Sequence, residues 1–341
     1  MGDFSWSETL SRLVRGEDLA EEDAALAMGE IFSGTATPAQ IGGFLLALRA
    51  KGETVDEIVG LARTMREFSQ KVKVKGTLVD TCGTGGDRAG TVNISTMAAL
   101  VVAGAGGRVA KHGNRAASSV CGSADLLEAL GVAIDLPPDG VAACIEDVGI
   151  GFCFAQVFHP AMKHAGPVRK ELGVPTVFNF LGPLTNPAGA SRQTVGVSDA
   201  VMAPKIAEAL ARLGAEHAFV FRGDDGLDEL TTTTTSRLWE IRDGVTERGF
   251  DPAELGVALA DPSVLVGGDP AHNASVANKM LGGERGPVRD AVVLNAALAL
   301  VAAGISDDVV DGIGRATEAI DDGKAATTLD RFREVSQKLR G

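Results

Sequence analysis

The chain has 341 residues and a formal net charge of −13, with 45% hydrophobic and 23% charged residues, which is typical of a globular protein. This length exceeds what one core usually holds, so we expect a large domain accompanied by a smaller one. The acidic charge and the 4% aromatic content provide neither a basic surface nor stacking platforms, so we expect no nucleic-acid partner.

The cysteines and the apolar segments exclude several other classes. The four cysteines form no CxxC pair, which argues against structural zinc and a disulfide framework and favours buried thiols in a reducing compartment. The N-terminus has no basic region followed by an apolar run, so no signal peptide is predicted. The longest apolar stretch, residues 291–303, is shorter than the ~20 residues of a membrane span. We therefore expect a cytoplasmic protein without membrane contact.

Residues 1–73 are predicted to form a small, mainly helical domain. Thr37 and Pro38 are typical of an N-cap followed by the first helical position, and residues 54–57 fit a capping box. Apolar residues recur at helical spacing after both starts. Some helices of the larger domain could also pack on this unit.

Residues 74–341 are predicted to form a large α/β domain with a mostly parallel central sheet. Short β-rich runs at 78–79, 174–178 and 218–221 alternate with glycine-rich turns and helical stretches, which indicates βαβ units. Residues 287–303 are predicted to form an apolar, buried helix that ends at Gly304. A further helical stretch is predicted to begin at Ser306, followed by a charged amphipathic helix at the end of the sequence.

A glycine-rich loop follows the first predicted strand, at residues 83–87. Glycines let backbone N–H groups approach a phosphate, and the helix that follows, capped by Asn93 or Ser95, adds a partial positive charge. Arg88 stands where the dinucleotide-binding fingerprint needs its third glycine, and no GxxxxGK[ST] is present. The loop is therefore predicted to bind an anion without belonging to either common nucleotide-binding type.

A second polar segment, residues 111–123, follows a predicted strand at 108–110. Lys111 and Arg115 beside a serine cluster suit a polyanion, whereas a single histidine such as His112 is more often structural than catalytic. In a third segment, residues 158–187, Arg169 alone is weak evidence because most such arginines are solvated.

The fourth segment, residues 221–230, ends a predicted strand with clustered carboxylates. Such a cluster is either a solvated turn or a site for a hard cation. Mg²⁺ typically takes one or two carboxylates together with phosphate oxygens of the substrate. Beside an anion-binding glycine loop, Asp228 and Glu229 are therefore better explained as magnesium ligands.

Taken in order, these segments are similar to those of the anthranilate phosphoribosyltransferase family. The motifs are GTGGD at 83–87, NIST at 93–96, KHGNRA at 111–116, GSAD at 122–125, HPAMK at 159–163, LGPLTNP at 181–187 and GLDE at 226–229. The resemblance covers nearly the whole chain. It implies transfer of phosphoribose from phosphoribosyl pyrophosphate (PRPP) to the amine of anthranilate, with Mg²⁺, in tryptophan biosynthesis. It also implies a homodimer formed through the helical domain.

The resemblance assigns residues by motif position. It implies catalytic roles for His112, Lys111 and Arg169, anthranilate contacts for Gly83, His112, Asn114 and Arg169, and magnesium contacts for Ser95, Asp228 and Glu229. The implied PRPP contacts are Gly83, Gly86, Asp87, Thr91, Asn93, Ile94, Ser95, Thr96, Lys111, His112, Gly113, Asn114, Arg115, Ala116, Ala117, Ser118, Ser119 and Ser123.

Several alternatives stay open in this interpretation. His112 could accept a proton late in the reaction or only help to position the acceptor. The family's usual Ala-Pro before HPAMK is Ala155-Gln156 here, which leaves the acceptor preference open. A pyrimidine nucleoside phosphorylase would share the fold, but it should carry a KxSxRxxS-type motif instead of KHGNRA. A nucleic-acid-binding relative would need a basic groove.

Overall fold

The computed structural model describes residues 4–116 and 120–340. The strands are β1 Val79–Gly83, β2 Val109–Gly113, β3 Ile150–Phe154, β4 Arg192–Gly196, β5 His217–Gly223, β6 Ser236–Ile241 and β7 Val245–Phe250. The helices are α1 Trp6–Val14, α2 Glu21–Ser33, α3 Pro38–Lys51, α4 Val55–Glu67, α5 Ile94–Gly104, α6 Ser123–Ala129, α7 Pro138–Val148, α8 Ala155–Phe158, α9 Met162–Leu172, α10 Phe178–Leu181, α11 Met202–Arg212, α12 Pro270–Leu281, α13 Pro287–Ala303, α14 Val309–Asp321 and α15 Lys324–Arg340. Short 3₁₀ helices occupy Gly182–Leu184, Pro252–Leu255 and Pro262–Leu265.

The first four helices form a compact helical unit whose starts are set by local hydrogen bonds. Thr37 is the N-cap of α3 and Thr54 forms a capping box with Glu57 at the start of α4, as the sequence predicted. The structure adds a second capping box, which Thr37 forms with Gln40. The apolar faces of α1–α4 share one core with residues of α9, α10 and α11, including Phe178. The helical unit therefore rests directly on the part of the chain that follows β3.

The rest of the structure is built on a seven-stranded sheet with the order β3-β2-β1-β4-β5-β6-β7. The first five strands in this order are parallel, and β6 and β7 are antiparallel additions at one edge. The predicted fold class, a small helical unit with an α/β unit around a mostly parallel sheet, is thus confirmed. Among the described residues, no helix is both long and apolar enough to cross a membrane.

The interior on one side of the sheet is dominated by two apolar helices. α5 and α13 are buried along nearly their whole length, and Gly304 ends α13 in the left-handed conformation, as predicted. The charged closing helix is α15. All four cysteines are buried with free thiols.

Two details of the predicted secondary structure are wrong. Residues 174–178 form no strand, because Pro175 has no N–H for a ladder and the Asn179 side chain accepts the Thr176 N–H at 3.0 Å, which starts α10 instead. The helical stretch assigned to Ser306 begins later, at Val309, because the Asp308 side chain caps its first turn.

Candidate active site

A cavity of about 590 Å³ opens at the carboxyl ends of the parallel strands. It is lined by the loops that follow β1 and β2, by residues between β3 and α10, by the turn between β5 and β6, and by Met65 of α4. β1 lies between β2 and β4, so the connections leave this point in opposite directions across the sheet. In open α/β sheets such a reversal creates a crevice in which ligands bind.

Two glycines allow Asp228 and Glu229, which form the acidic turn between β5 and β6, to lie against the ends of the strands. A Cβ at Gly83 would overlap Oδ2 of Asp228 and lie 3.0 Å from its Cγ. A Cβ at Gly196, at the end of β4, would overlap the backbone carbonyl oxygen of Asp228. Because neither position has room for a side chain, glycine at both positions allows Asp228 to lie against the glycine-rich loop.

The carboxylates of this turn accept backbone hydrogen bonds from the glycine-rich loop and from the first turn of α5. The Gly85 N–H donates to Oδ2 of Asp228 at 2.6 Å, and the Ser95 N–H, in the first turn of α5, donates to Oε1 of Glu229 at 3.1 Å. The glycine loop, the start of α5 and the acidic turn therefore form one connected unit.

The predicted caps of α5 are not formed. Asn93 is the N-cap residue, but its side chain donates to the Cys121 carbonyl and accepts from Asn273. Ser95 already lies inside the helix. Because neither side chain caps the first turn, backbone N–H groups remain available to an acidic or phosphate group.

The paired carboxylates are electrostatically crowded. Desolvation, followed by the charge of Asp87, raises the pKa of Asp228 to about 7. Burial and the neighbouring Asp228 raise the pKa of Glu229 well above its usual value, although Lys111 opposes this. A divalent cation would relieve both effects, so this donor set fits Mg²⁺.

The acidic turn does not hold a metal by itself. Within residues 4–116 and 120–340, no group of three or more His, Cys, Asp or Glu side chains is arranged as a complete metal site. The remaining oxygen ligands would have to come from hydroxyl or backbone groups, from water, or from a phosphorylated substrate. Mg²⁺ commonly binds in this way at phosphate-transfer sites.

Strand alternation places Lys111 and His112 on opposite faces of the sheet. The sequence placed both after a strand at 108–110, but they lie within β2 itself, where successive side chains point in opposite directions. The Lys111 ammonium donates to the Thr81 carbonyl at 2.5 Å, and burial lowers its pKa while nearby Asp80 opposes this. A buried cation and a histidine can thus face different parts of one ligand.

One ring nitrogen of His112 is fixed by a hydrogen bond, and the other has no partner in the part of the chain that the structure describes. Nδ1 lies 3.1 Å from the Gly182 carbonyl, which can only accept, so Nδ1 carries the hydrogen of the neutral ring. Nε2 has no hydrogen-bond partner among the described residues, and burial lowers the pKa of the ring. His112 is therefore a neutral imidazole with a free acceptor nitrogen.

His159 adds a second neutral imidazole to this wall. Its ring centroid lies 5.1 Å from that of His112, and both of its ring nitrogens lack partners in the described part of the chain. Burial, and then the proximity of His112, lowers the pKa of His159 to about 3. The sequence identified this residue only as part of a motif, because nothing local indicates that a histidine before a proline will face a cavity.

Arg169 faces the cavity, and no acidic side chain of the described residues pairs with it. Its guanidinium lies 5.1 Å from the centre of the Phe178 ring, and within the described residues it makes neither an ion pair nor a side-chain hydrogen bond. Burial lowers its pKa. Arg115, by contrast, is paired with Asp125 at 2.9 Å and Glu128 at 2.8 Å. Arg169 is thus a half-buried cation available to a ligand carboxylate.

The structure brings most of the sequence-predicted residues to this cavity. Those that line it are Gly83, Gly86, Asp87, Thr91, Asn93, Ser95, Thr96, Lys111, His112, Gly113, Asn114, Arg115, Ala116, Ser123, Arg169, Asp228 and Glu229. Ile94 does not line it, because its side chain is buried in the core. Ala117, Ser118 and Ser119 lie outside the described residues. Gln156 lines the cavity and is exposed.

Comparison with known proteins identifies matches over most of the chain. Models of the glycosyl transferase family match as a helical bundle domain at residues 7–69 and an a/b domain at residues 75–326. The anthranilate phosphoribosyltransferases of Nocardioides sp. and Acidothermus cellulolyticus are 57% and 58% identical to it. The matches cover 96% and 99% of this chain and 98% and 97% of those proteins.

Solved structures agree with these sequence matches. The anthranilate phosphoribosyltransferase from Thermus thermophilus superimposes with a TM-score of 0.92 at 45% identity, covering 96% of this chain and 99% of that one. The enzyme of that name from Saccharomyces cerevisiae, in complex with PRPP and Mg, gives a TM-score of 0.91 at 27% identity, with 99% of each chain covered.

Proposed function

Since the chain belongs to the anthranilate phosphoribosyltransferase family, we propose that it transfers the 5-phosphoribosyl group of PRPP to the amine of anthranilate. The products are N-(5-phosphoribosyl)anthranilate and pyrophosphate, formed in tryptophan biosynthesis. The observation that carries this proposal is that one cavity holds both a glycine-rich loop and the guanidinium of Arg169, which has no acidic partner among the described residues. A phosphorylated donor and a carboxylated acceptor therefore have separate binding groups in a shared space.

PRPP binds at the end of the cavity formed by the glycine loop, α5 and β2. The loop glycines and the start of α5 present backbone N–H groups, and Thr91 and Ser123 add hydroxyls. Lys111 contributes a buried positive charge beside this loop. Negative charge builds on pyrophosphate as it leaves, and a fixed cation in a desolvated site stabilises that charge.

Asp228, Glu229 and the hydroxyl of Ser95 would hold Mg²⁺. When bound, it neutralises charge on the pyrophosphate and orients the donor. The raised pKa values of Asp228 and Glu229 support this assignment, because the two buried carboxylates lie close together and the positive charge of Lys111 compensates only part of their negative charge. The yeast relative of known structure is complexed with PRPP and Mg.

Anthranilate binds beside His112, Asn114 and Arg169, near Gly83. Arg169 holds the carboxylate through charge-assisted hydrogen bonds and keeps its stem on Phe178. The arylamine is neutral at pH 7, so it requires positioning more than deprotonation. His112 orients the acceptor, and its free Nε2 accepts the proton that the amine loses after the new bond to the ribose forms.

The assay that tests this function follows the loss of anthranilate fluorescence with PRPP and Mg²⁺. We expect turnover that requires all three components. Phosphorolysis of thymidine or uridine without turnover of anthranilate would assign the chain to the nucleoside phosphorylases instead.

We further propose that residues 1–73 form the smaller domain and provide the contact of a homodimer. The exposed apolar side chains of Val14, Leu26 and Leu46, on α1, α2 and α3, support this surface. Size-exclusion chromatography with light scattering should give twice the mass of one chain, and a monomer at micromolar concentration would refute it.

A further inference from the structure

The two strands that carry the site separate at their carboxyl ends. β1 pairs with β4 over five aligned residue pairs, and β2 pairs with β3 over five. Between β1 and β2 only Val79 and Val109 are aligned. From Asp80 and Ala110 onward the backbones of β1 and β2 therefore diverge, and the cavity opens where they part.

Two buried side chains fill the gap between the diverging strands. Oδ1 of Asp80 accepts the backbone N–H of His112 at 3.0 Å, and Oδ2 accepts from Nδ2 of Asn186 at 2.7 Å. The same Nδ2 donates to the Ala110 carbonyl at 2.8 Å. Asp80 is fully buried and Asn186 is 5% exposed, so these bonds are shielded from water.

The side chains of Asp80 and Asn186 form hydrogen bonds with backbone groups of β2 that would otherwise pair with the backbone of β1. The Ala110 carbonyl and the His112 N–H lie on the same edge of β2, because alternate residues of a strand direct their hydrogen-bonding groups to one side. Buried backbone groups without partners are strongly disfavoured, so the gap is stable only with a donor and an acceptor inside it. An amide paired with a carboxylate meets both needs.

The same loop also fixes the ring of His112. Gly182, whose carbonyl lies 3.1 Å from Nδ1, is four residues before Asn186 in the segment that follows α10. The backbone and the ring of His112 are thus both held, directly or through Asp80, by residues 182–186. Any shift of this segment would move His112 relative to the cavity.

From this geometry we infer that Asp80 and Asn186 are positioning residues, which hold β1 and β2 apart and thereby aim His112 at the bound acceptor. This inference rests on the proposed function for the identity of the acceptor. Lys111 faces the other side of β2, and its ammonium is held by the Thr81 carbonyl of β1 and not by a hydrogen bond to Asp80 or Asn186. Loss of the pair should therefore affect the use of anthranilate far more than the binding of PRPP.

The test compares Asn186→Ala and Asp80→Asn with a matched control, Ser336→Ala. Asn186→Ala removes the amide. Asp80→Asn keeps the shape but replaces one of two acceptor oxygens by an NH2 donor, which must face either the His112 N–H or the Nδ2 of Asn186. Ser336 is equally buried and accepts the Ala133 N–H at 3.0 Å, and neither residue lines the cavity. The control therefore measures the effect of losing a buried hydrogen bond elsewhere.

Two readouts are needed. Hydrogen–deuterium exchange of the substrate-free protein should show faster exchange of peptides over residues 109–113 in both variants and no change there in the control. Steady-state kinetics should show kcat/KM for anthranilate lowered by up to roughly 10- to 150-fold, the range that corresponds to a hydrogen bond to a charged group. Calorimetric Kd values for PRPP with Mg²⁺ should change less than about threefold.

The possible results separate the inference from the function. Equal losses for both substrates, or unchanged exchange at 109–113 in folded variants, would overturn the positioning role. A folded Asp80→Asn protein decides the question if Asn186→Ala does not fold. If the wild type fails to turn over anthranilate while exchange rises in both variants, the proposed function falls and the structural role of the pair remains.

Discussion

Replacement of Arg169 tests how the acceptor is recognised. The guanidinium lies in the cavity with no acidic partner among the described residues, and its stem lies on Phe178. Arg169→Met keeps apolar packing on the ring and removes only the charged donors. Hydrogen bonds to a charged group contribute about 1.5–3 kcal/mol. At about 1.4 kcal/mol per tenfold change, kcat/KM for anthranilate should fall roughly 10- to 150-fold.

The assay uses two acceptors, anthranilate and aniline, which lacks the carboxylate. The wild type should prefer anthranilate by a factor similar to the loss caused by Arg169→Met, because both changes remove the same interaction. With aniline, Arg169→Met and the wild type should perform alike, and the Kd for PRPP should not change. An equal loss with both acceptors would refute the carboxylate role and indicate that Arg169 only supports the cavity wall.

Three further predictions concern the acidic turn. Gly83→Ala should raise the Mg²⁺ concentration needed for half-maximal activity, because its Cβ would overlap Asp228. The control Gly314→Ala, in α14, has open space around it, no left-handed φ and no place in the cavity lining, so it should leave this concentration unchanged; equal behaviour of the two variants would contradict the steric argument. Converting Asp228 and Glu229 together to amides should abolish turnover or sharply raise the Mg²⁺ requirement. An unchanged dependence of activity on Mg²⁺ would instead indicate that this segment is a solvated turn without a metal role. The pKa of Asp228 is raised to about 7, and an unfolded Asp titrates near 3.9, so the stability it contributes is present below about pH 4 and is lost as the pH rises through 7. The Tm of the metal-free protein should therefore fall over this window and fall less in Asp228→Asn, and a parallel pH dependence in both proteins would show that another group is responsible.

Local patterns predicted much of this fold because they act over a few residues. The N-cap at Thr37, the capping box at Thr54 and the apolar helix ended by Gly304 formed as expected. The strand predicted at 174–178 is absent, because a β-rich composition does not show that Pro175 and Asn179 favour a different backbone conformation there. The Asn93 side chain does not cap α5 as predicted, because it forms hydrogen bonds with Cys121 and Asn273, which are distant in the chain.

The sequence by itself determined the chemistry of this protein: a glycine loop before a helix, a lysine and a histidine at adjacent positions, and two adjacent carboxylates. The order of these motifs was sufficient for the family resemblance. Only the tertiary structure decided which residues act together. The divergence of β1 from β2, the pair Asp80 and Asn186 between them, and the absence of an acidic partner for Arg169 among the described residues all depend on segments far apart in the chain. Residue spacing sets which face of a strand a side chain occupies, but contacts between segments distant in the chain depend on how the strands and loops pack.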